Sequence, residues 1–191
     1  AYSHHDIFLN KDPQVTFFKV VYRRHTNFST EDIKQPFLHQ MDFGKKATCI
    51  ISQNGDLIGK MALVVVLPAI RKFTTTEGEN DNITKIAWIK KIGFGLIKSI
   101  EVEIGGQLMD RHYGEWLNIW SELSSYIDRG TDVLIGNVPE LTDFTNGKDS
   151  YTLIIPLQFW FCRNSGLSLP IVSLMYSEVK INLEINDLDT C

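Results

Sequence analysis

An all-β antiparallel sandwich is the fold class this sequence predicts, and three observations carry the prediction. Val179-Lys180-Ile181-Asn182-Leu183-Glu184-Ile185 alternates apolar and polar residues without a fault, the period-two pattern of a strand with one wet face. About eight short apolar segments of this kind run along the chain, separated by turn residues. Only one stretch repeats at a helical period instead.

Taken in order, residues 14–22 carry apolar residues at both parities, interrupted by Lys19, which predicts a strand covered on both faces. Residues 45–52 form the next strand and end at Asn54-Gly55-Asp56, a hairpin-type turn. The unbroken apolar run at 61–67, closed by Pro68, again predicts a strand covered on both sides. Ile100-Glu101-Val102-Glu103-Ile104 alternates, and Gly105-Gly106 then supplies a turn. Tyr151, Leu153, Ile155, Leu157, Phe159 and Phe161 share one face of a further strand, with Thr152, Ile154, Gln158 and Trp160 opposite. Pro156 has no N–H to donate, so that strand is predicted to be an edge or to carry a bulge.

From Gly114 onward, Trp116, Trp120, Leu123 and Ile127 recur at three- and four-residue steps, flanked by Leu117 and Ile119. This predicts one short amphipathic helix with Glu115 in its first turn, its aromatic stripe serving packing. Two polar stretches, 71–85 and 128–150, interrupt the strands. Loops of that length are either functional or mobile, and both are expected at one end of the sandwich. Each half-apolar strand needs a partner face, so two packed sheets are the economical arrangement. Periodicity leaves jelly-roll and immunoglobulin-like windings both open.

The chain has 191 residues, 43% of them hydrophobic, enough for one sizeable core. Its net charge is -4. The densest basic run, Arg23-Arg24-His25, reads as a solvated or ion-paired strand end, so direct nucleic-acid binding is disfavoured. Cys49, Cys162 and Cys191 are far apart and odd in number. They suggest buried thiols in a reducing compartment, with neither zinc-type spacing nor a disulfide framework. No 18-residue apolar run is present to span a bilayer, and the first six residues lack the regions of a signal peptide. The sequons at Asn27 and Asn82 therefore read as chance matches. Neither internal repeats nor an interdomain linker is visible.

Catalytic patterns are missing. A cupin-type metal site needs histidines two apart on one strand, whereas His4 and His5 are adjacent and would point to opposite faces; His25, His39 and His112 are scattered. There is no G-x-S-x-G elbow, and Cys49 and Cys162 lie in apolar strands where thiols are inert. Gly93-Phe94-Gly95 sits in a strand-like block without the further glycine and helix of a phosphate loop. Glu101 and Glu103 share a strand face, which reads as a solvated sheet surface; a glycosidase would need such carboxylates across a cleft. No enzyme is predicted, and no catalytic, cofactor-binding or metal residue is assigned.

Three blocks carry a resemblance. The first is Pro13-Gln14-Val15-Thr16-Phe17-Phe18-Lys19 with Tyr22-Arg23-Arg24-His25-Thr26-Asn27-Phe28. The second is Val102-Glu103-Ile104-Gly105-Gly106 followed by Asp110-Arg111-His112-Tyr113-Gly114-Glu115-Trp116. The third is Pro156-Leu157-Gln158-Phe159-Trp160-Phe161, through Leu169-Pro170, to Tyr176-Ser177-Glu178-Val179-Lys180. In this order they resemble the first jelly roll of the double-jelly-roll major capsid proteins of nucleocytoplasmic large DNA viruses, over about residues 6–187.

The resemblance implies an eight-stranded antiparallel jelly-roll sandwich of two four-stranded sheets, with one short helix between strands F and G. The expected strands are B near 14–22, C near 45–52, D near 61–67 and E near 95–104, then F near 107–113, G near 151–161, H near 170–176 and I near 178–186. Residues 13–191 would be the first jelly roll, a second following in the parent protein. The D–E and F–G loops would face outward. Residues 1–12 would be an arm at the inner side, where Tyr2, Ile7, Phe8 and Leu9 meet minor capsid proteins above an internal membrane. The family forms homotrimers with a nearly six-fold outline in the virion, assembled in host cytoplasm.

In a shell protein, apolar and aromatic anchors make the subunit contacts. Phe37, Phe43, Phe73, Trp88 and Phe144, in or near irregular segments, are the candidate interface residues. A glycan-binding jelly-roll module, with loop aromatics stacking on sugars, is the alternative; a cupin-type metalloenzyme is a distant third.

Overall fold

The computed structural model of the chain describes residues 27–74, 83–124 and 130–190. The predicted strand at 14–22 and the arm residues Tyr2, Ile7, Phe8 and Leu9 lie outside the described residues. The chain divides into Ala1–Lys34 and Gln35–Cys191. In the first unit, residues 27–34 are exposed and hold no helix or strand. The second unit holds every described element.

Its strands are β1 (Lys46–Ile50), β2 (Leu57–Ile58), β3 (Ala62–Leu67), β4 (Ile97–Ile104), β5 (Gln107–His112), β6 (Tyr151–Pro156), β7 (Leu169–Pro170) and β8 (Val179–Ile185). The helices are α1 (Ile92–Gly95), α2 (Gly114–Ser124), α3 (Thr131–Leu134), α4 (Pro139–Thr142) and α5 (Trp160–Arg163). Strand pairing is nested and antiparallel: β1 with β8, β2 with β7, β3 with β6 and β4 with β5. β8 also pairs with β4, giving a four-stranded sheet in the order β1-β8-β4-β5, while β3 and β6 form a separate ladder. Such nesting is the mark of an antiparallel ribbon folded over on itself, as in a jelly roll.

The alternation of β8 is realised residue by residue: Val179, Ile181, Leu183 and Ile185 are buried and the residues between them are not. β4 contributes Ile97, Ile100 and Val102 to the same cluster, β3 contributes Leu63 and Leu67, and β6 contributes Leu153 and Ile155. Full burial of one such side chain is worth about 1.5–3 kcal/mol. The turn between β4 and β5 is Gly105-Gly106, both at positive φ (59° and 82°), a conformation glycine adopts without steric cost.

Pro156 sits as its chemistry requires. The Leu157 N–H donates to Met61 O, so the adjacent pair, Ala62 with Pro156, is one that exchanges no hydrogen bonds. Among the described residues β6 is an edge strand, and the missing N–H faces away from β3.

Several sequence expectations need correction. Residues 178–186, expected as the last strand, I, lie between β1 and β4. In a ribbon folded on itself that place belongs to the mate of β1, which is strand H. Residues 170–176 are instead the end of β7 followed by a 3-10 turn, Ile171–Leu174. The strand expected at 151–161 stops at Pro156, and α5 begins four residues later. Gly93-Phe94-Gly95 belongs to α1, a single helical turn entered through Lys91 at φ 55°. The one expected helix is α2, but among the described residues four shorter α-helical segments and three 3-10 turns accompany it. β3 is not covered on both sides, because Val64 and Val66 are 59% and 63% exposed. An all-apolar run has no polar parity to reveal its outer face.

The two long loops do meet. Ile70 bridges Lys148 and Ile86 bridges Thr145, so the described ends of 71–85 and 128–150 are tied together just past β3 and β6. Lys148 is buried, and its ammonium donates to Glu140 O (2.7 Å) and Asp143 O (2.5 Å). These carbonyls cluster at the C-terminal end of α4, where a cation is favoured.

Candidate assembly surface

The outward faces of the two sheets differ in chemistry. On the four-stranded sheet, Glu184 of β8 lies between Lys46 (3.0 Å) and Lys98 (2.8 Å), and Glu101 of β4 pairs with Arg111 of β5 (2.6 Å). Asn182 links the remaining rows: its amide donates to Glu103 (3.1 Å) and its oxygen accepts from Thr48 Oγ1 (2.7 Å). Lys98, and then Lys46, hold the Glu184 carboxyl below its usual range. The paired carboxylates Glu101 and Glu103 thus serve cross-strand pairing, a surface interaction of modest worth in water.

The β3–β6 face has no charge at all. Ala62, Val64 and Val66 lie opposite Pro156, Ile154 and Thr152 respectively, and Val64, Val66 and Ile154 are exposed. Together they make a short strip of contiguous exposed apolar surface. Sequence reasoning missed it, because valines at both parities read as core.

A second feature is an aromatic stack on one side of α2. His112, at the end of β5, lies against Trp116 (centroids 4.4 Å) and Phe159 (4.8 Å). Trp116 stacks on Trp120 at 5.8 Å, and the Arg163 guanidinium lies 5.5 Å and 5.1 Å from their ring centroids. The His112 Nε2 is 3.2 Å from Asp110, while Nδ1 is buried without a partner. This is a packed cluster with a cation over aromatic faces. The helix anchor is a different residue from those predicted: Leu117 is 1% exposed, the two tryptophans are half-buried and Leu123 is 78% exposed. Ile127 lies outside the described residues. Ile119 and Leu123 form an exposed apolar edge on α2.

The five predicted anchors separate into two groups. Phe37, Phe43 and Trp88 pack against the main core, so most of their bulk serves the fold. Phe73 and Phe144 are exposed. The segments carrying them are clamped, since Asn146 accepts from the Phe73 N–H (2.6 Å) and donates to Phe73 O (2.9 Å). Trp88 joins the same region through its backbone N–H, which donates to Leu141 O. Phe73, Trp88 and Phe144 therefore ride on one cluster of loops at one end of the sandwich.

Among the described residues no three histidine, cysteine or acidic side chains converge as metal ligands. Cys49 and Cys162 are buried, and burial pushes both thiols up, away from the reactive thiolate. No described helix is long and apolar enough to cross a membrane.

Comparison with known proteins gives these surfaces a context. Probable capsid protein 4 of Acanthamoeba polyphaga mimivirus is 51% identical over the whole chain, which spans 37% of that protein. The major capsid protein of Pyramimonas orientalis virus is 48% identical over 98% of the chain and 45% of its own length. The chain thus covers less than half the length of these relatives. Among solved structures, the quasi-atomic PBCV-1 virus capsid matches with a TM-score of 0.63 at 32% identity, over 90% of this chain and 38% of that one. The Faustovirus major capsid protein shares the fold at 13% identity, with a TM-score of 0.56 over 97% of this chain and 46% of that one. The sequence profile of one family, described as the N-terminus of the major capsid protein, matches residues 16–191. With a jelly-roll ribbon, a paired polar face and an uncovered apolar one, the chain belongs to the major capsid protein N-terminus family.

Proposed function

We propose that this chain is the N-terminal jelly roll of a double-jelly-roll major capsid protein, and that it works by offering rigid faces to other capsid subunits. The observation that carries the reading is the family match across 16–191, together with capsid relatives as much as 51% identical over the whole chain. The parent protein forms a homotrimer with a nearly hexagonal outline, and such trimers tile an icosahedral shell in the virion, assembled in host cytoplasm. The charge-free β3–β6 face, and Phe73 and Phe144 at the loop end, are its candidate contacts. Anchors of this type dominate interface energetics. The arm at 1–12, with Tyr2, Ile7, Phe8 and Leu9, meets minor capsid proteins near the inner membrane, and the acidic chain leaves the genome to other proteins.

Sedimentation of the full-length parent tests this reading. A trimer whose averaged electron-microscope images have a six-sided outline is the expected result. A monomer at micromolar concentration that binds a glycan array saturably would overturn it.

A further inference from the structure

Five aromatic rings form one continuous stack that joins α5, β5 and α2. Phe161 stacks on Phe159 at 5.7 Å, Phe159 on His112 at 4.8 Å, His112 on Trp116 at 4.4 Å and Trp116 on Trp120 at 5.8 Å. His112 is the middle ring, and of the five it alone changes charge near neutral pH.

The stack matters most to the far end of α2. Gly114 and Leu117 are the buried residues of that helix, so the core pins its first turn. None of residues 118–124 is buried. They are held by the Trp120 ring, by Arg163 over the two tryptophans and by the ion pair of Glu122 with Lys91. A segment held through so few side chains opens far more readily than the sheets, whose buried rows on β4, β6 and β8 are apolar and indifferent to pH.

A neutral His112 suits its place and a charged one does not. The ring is 6% exposed. Its Nε2 lies 3.2 Å from Asp110, which can accept one N–H. Nδ1 is buried without a partner, so the second N–H of an imidazolium would have no acceptor. Aromatic faces attract a cation, but the Arg163 guanidinium already lies over Trp116 and repels another. Asp110 and Arg163 are the charged groups that bear on the ring. β4 sets Ile100 opposite it, and α2 covers it with Trp116 while Glu115 is exposed to solvent.

We propose that His112 is an acid-operated latch: once it takes up a proton, Trp116 and Trp120 leave the stack and residues 118–124 swing out, while both sheets stay paired. The imidazolium then reaches water on the side that Trp116 had covered. The exposed apolar edge at Ile119 and Leu123 moves with the released segment. Burial lowers the pKa of the latched ring from the ordinary 6.5, Asp110 partly opposes this and Arg163 adds to it. The released ring regains the ordinary value, so falling pH favours release and rising pH favours closure. The latch goes beyond the assembly reading and holds or fails independently of it.

Amide hydrogen exchange on the full-length protein tests it, read peptide by peptide and corrected for the intrinsic effect of pH. Between about pH 7.5 and about pH 5.5, protection of residues 118–124 should fall about fivefold to tenfold, and that of β8 should hold within about twofold. His112→Phe, which stacks but takes up no proton, should keep the helix end protected at both pH values. His112→Leu, which fills the space without stacking, should leave it poorly protected at both. Equal protection of 118–124 at the two pH values in the unmodified protein would overturn the latch, whether or not the variants fold. So would a loss of β8 protection in step with α2, or a pH response of the helix end that survives in either variant.

Discussion

At His112 a single ring joins strand, helix and loop. Burial is the largest influence on it and lowers its pKa from the ordinary 6.5; the Asp110 carboxylate partly opposes this and the Arg163 guanidinium adds to it. Well above pH 6.5 the folded and unfolded chains both hold a neutral ring. As pH falls below that value, the unfolded chain takes up a proton that the folded ring resists, so stability declines until the folded ring titrates too. The unfolding midpoint should therefore fall between pH 7 and pH 5, and His112→Phe, which keeps the stack, should flatten that part of the profile. An unchanged slope in thermal melts of the variant would remove His112 from the account. Gly114 shows a steric limit at the same scale. A Cβ there would run into the carbonyl oxygens of Phe94 and Ile97, which are backbone and cannot swing aside. Gly114→Ala should cost about 2–3 kcal/mol, read as a lowered urea midpoint.

α2 shows what a sequence pattern conveys at the scale of an element and what it does not. Its existence and start follow from the helical period and from Glu115, and β4 and β8 were equally legible because their polar residues mark one face. The orientation of α2 was not legible. The large tryptophans suggested the core side, yet they stack beside His112 and Arg163 while the slimmer Leu117 fills the interior. Size signals burial only when the neighbouring surface is known. α1 escaped notice for a related reason: a four-residue turn is too short to establish any period. The place of β8 is not legible in the sequence, because sheet order depends on pairings between residues far apart in the chain, which local alternation does not encode. Leu117→Ala should cost about 2–5 kcal/mol as a cavity-forming core truncation, and Leu123→Ala should stay within about 0.5 kcal/mol. Equal losses in denaturant titrations of the two variants would mean that α2 is rotated from the orientation described.

At the scale of the whole molecule the contrast between the two outer sheet faces is the informative quantity. The polar face satisfies its own charges through Lys46, Lys98, Arg111 and their carboxylate partners, so it gains little from leaving water. Val64, Val66 and Ile154 have nothing to satisfy and lose only water on contact, which favours association by about 25 cal/mol for each Å² covered. A subunit interface built on this face should be intolerant of charge, since an unpaired ion buried there costs about 3–5 kcal/mol. In the monomer the same positions are exposed, so a lysine is accommodated within about 0.5 kcal/mol. The double variant Val64→Lys with Val66→Lys, made in the full-length protein, should keep its melting temperature as a subunit and shift the sedimentation profile from trimer toward monomer. Lys98→Ala on the opposite face should leave that profile unchanged. If the double variant trimerises at the concentration of the parent, the β3–β6 face is not the contact, and the exposed edge of α2 at Ile119 and Leu123 becomes the next surface to charge.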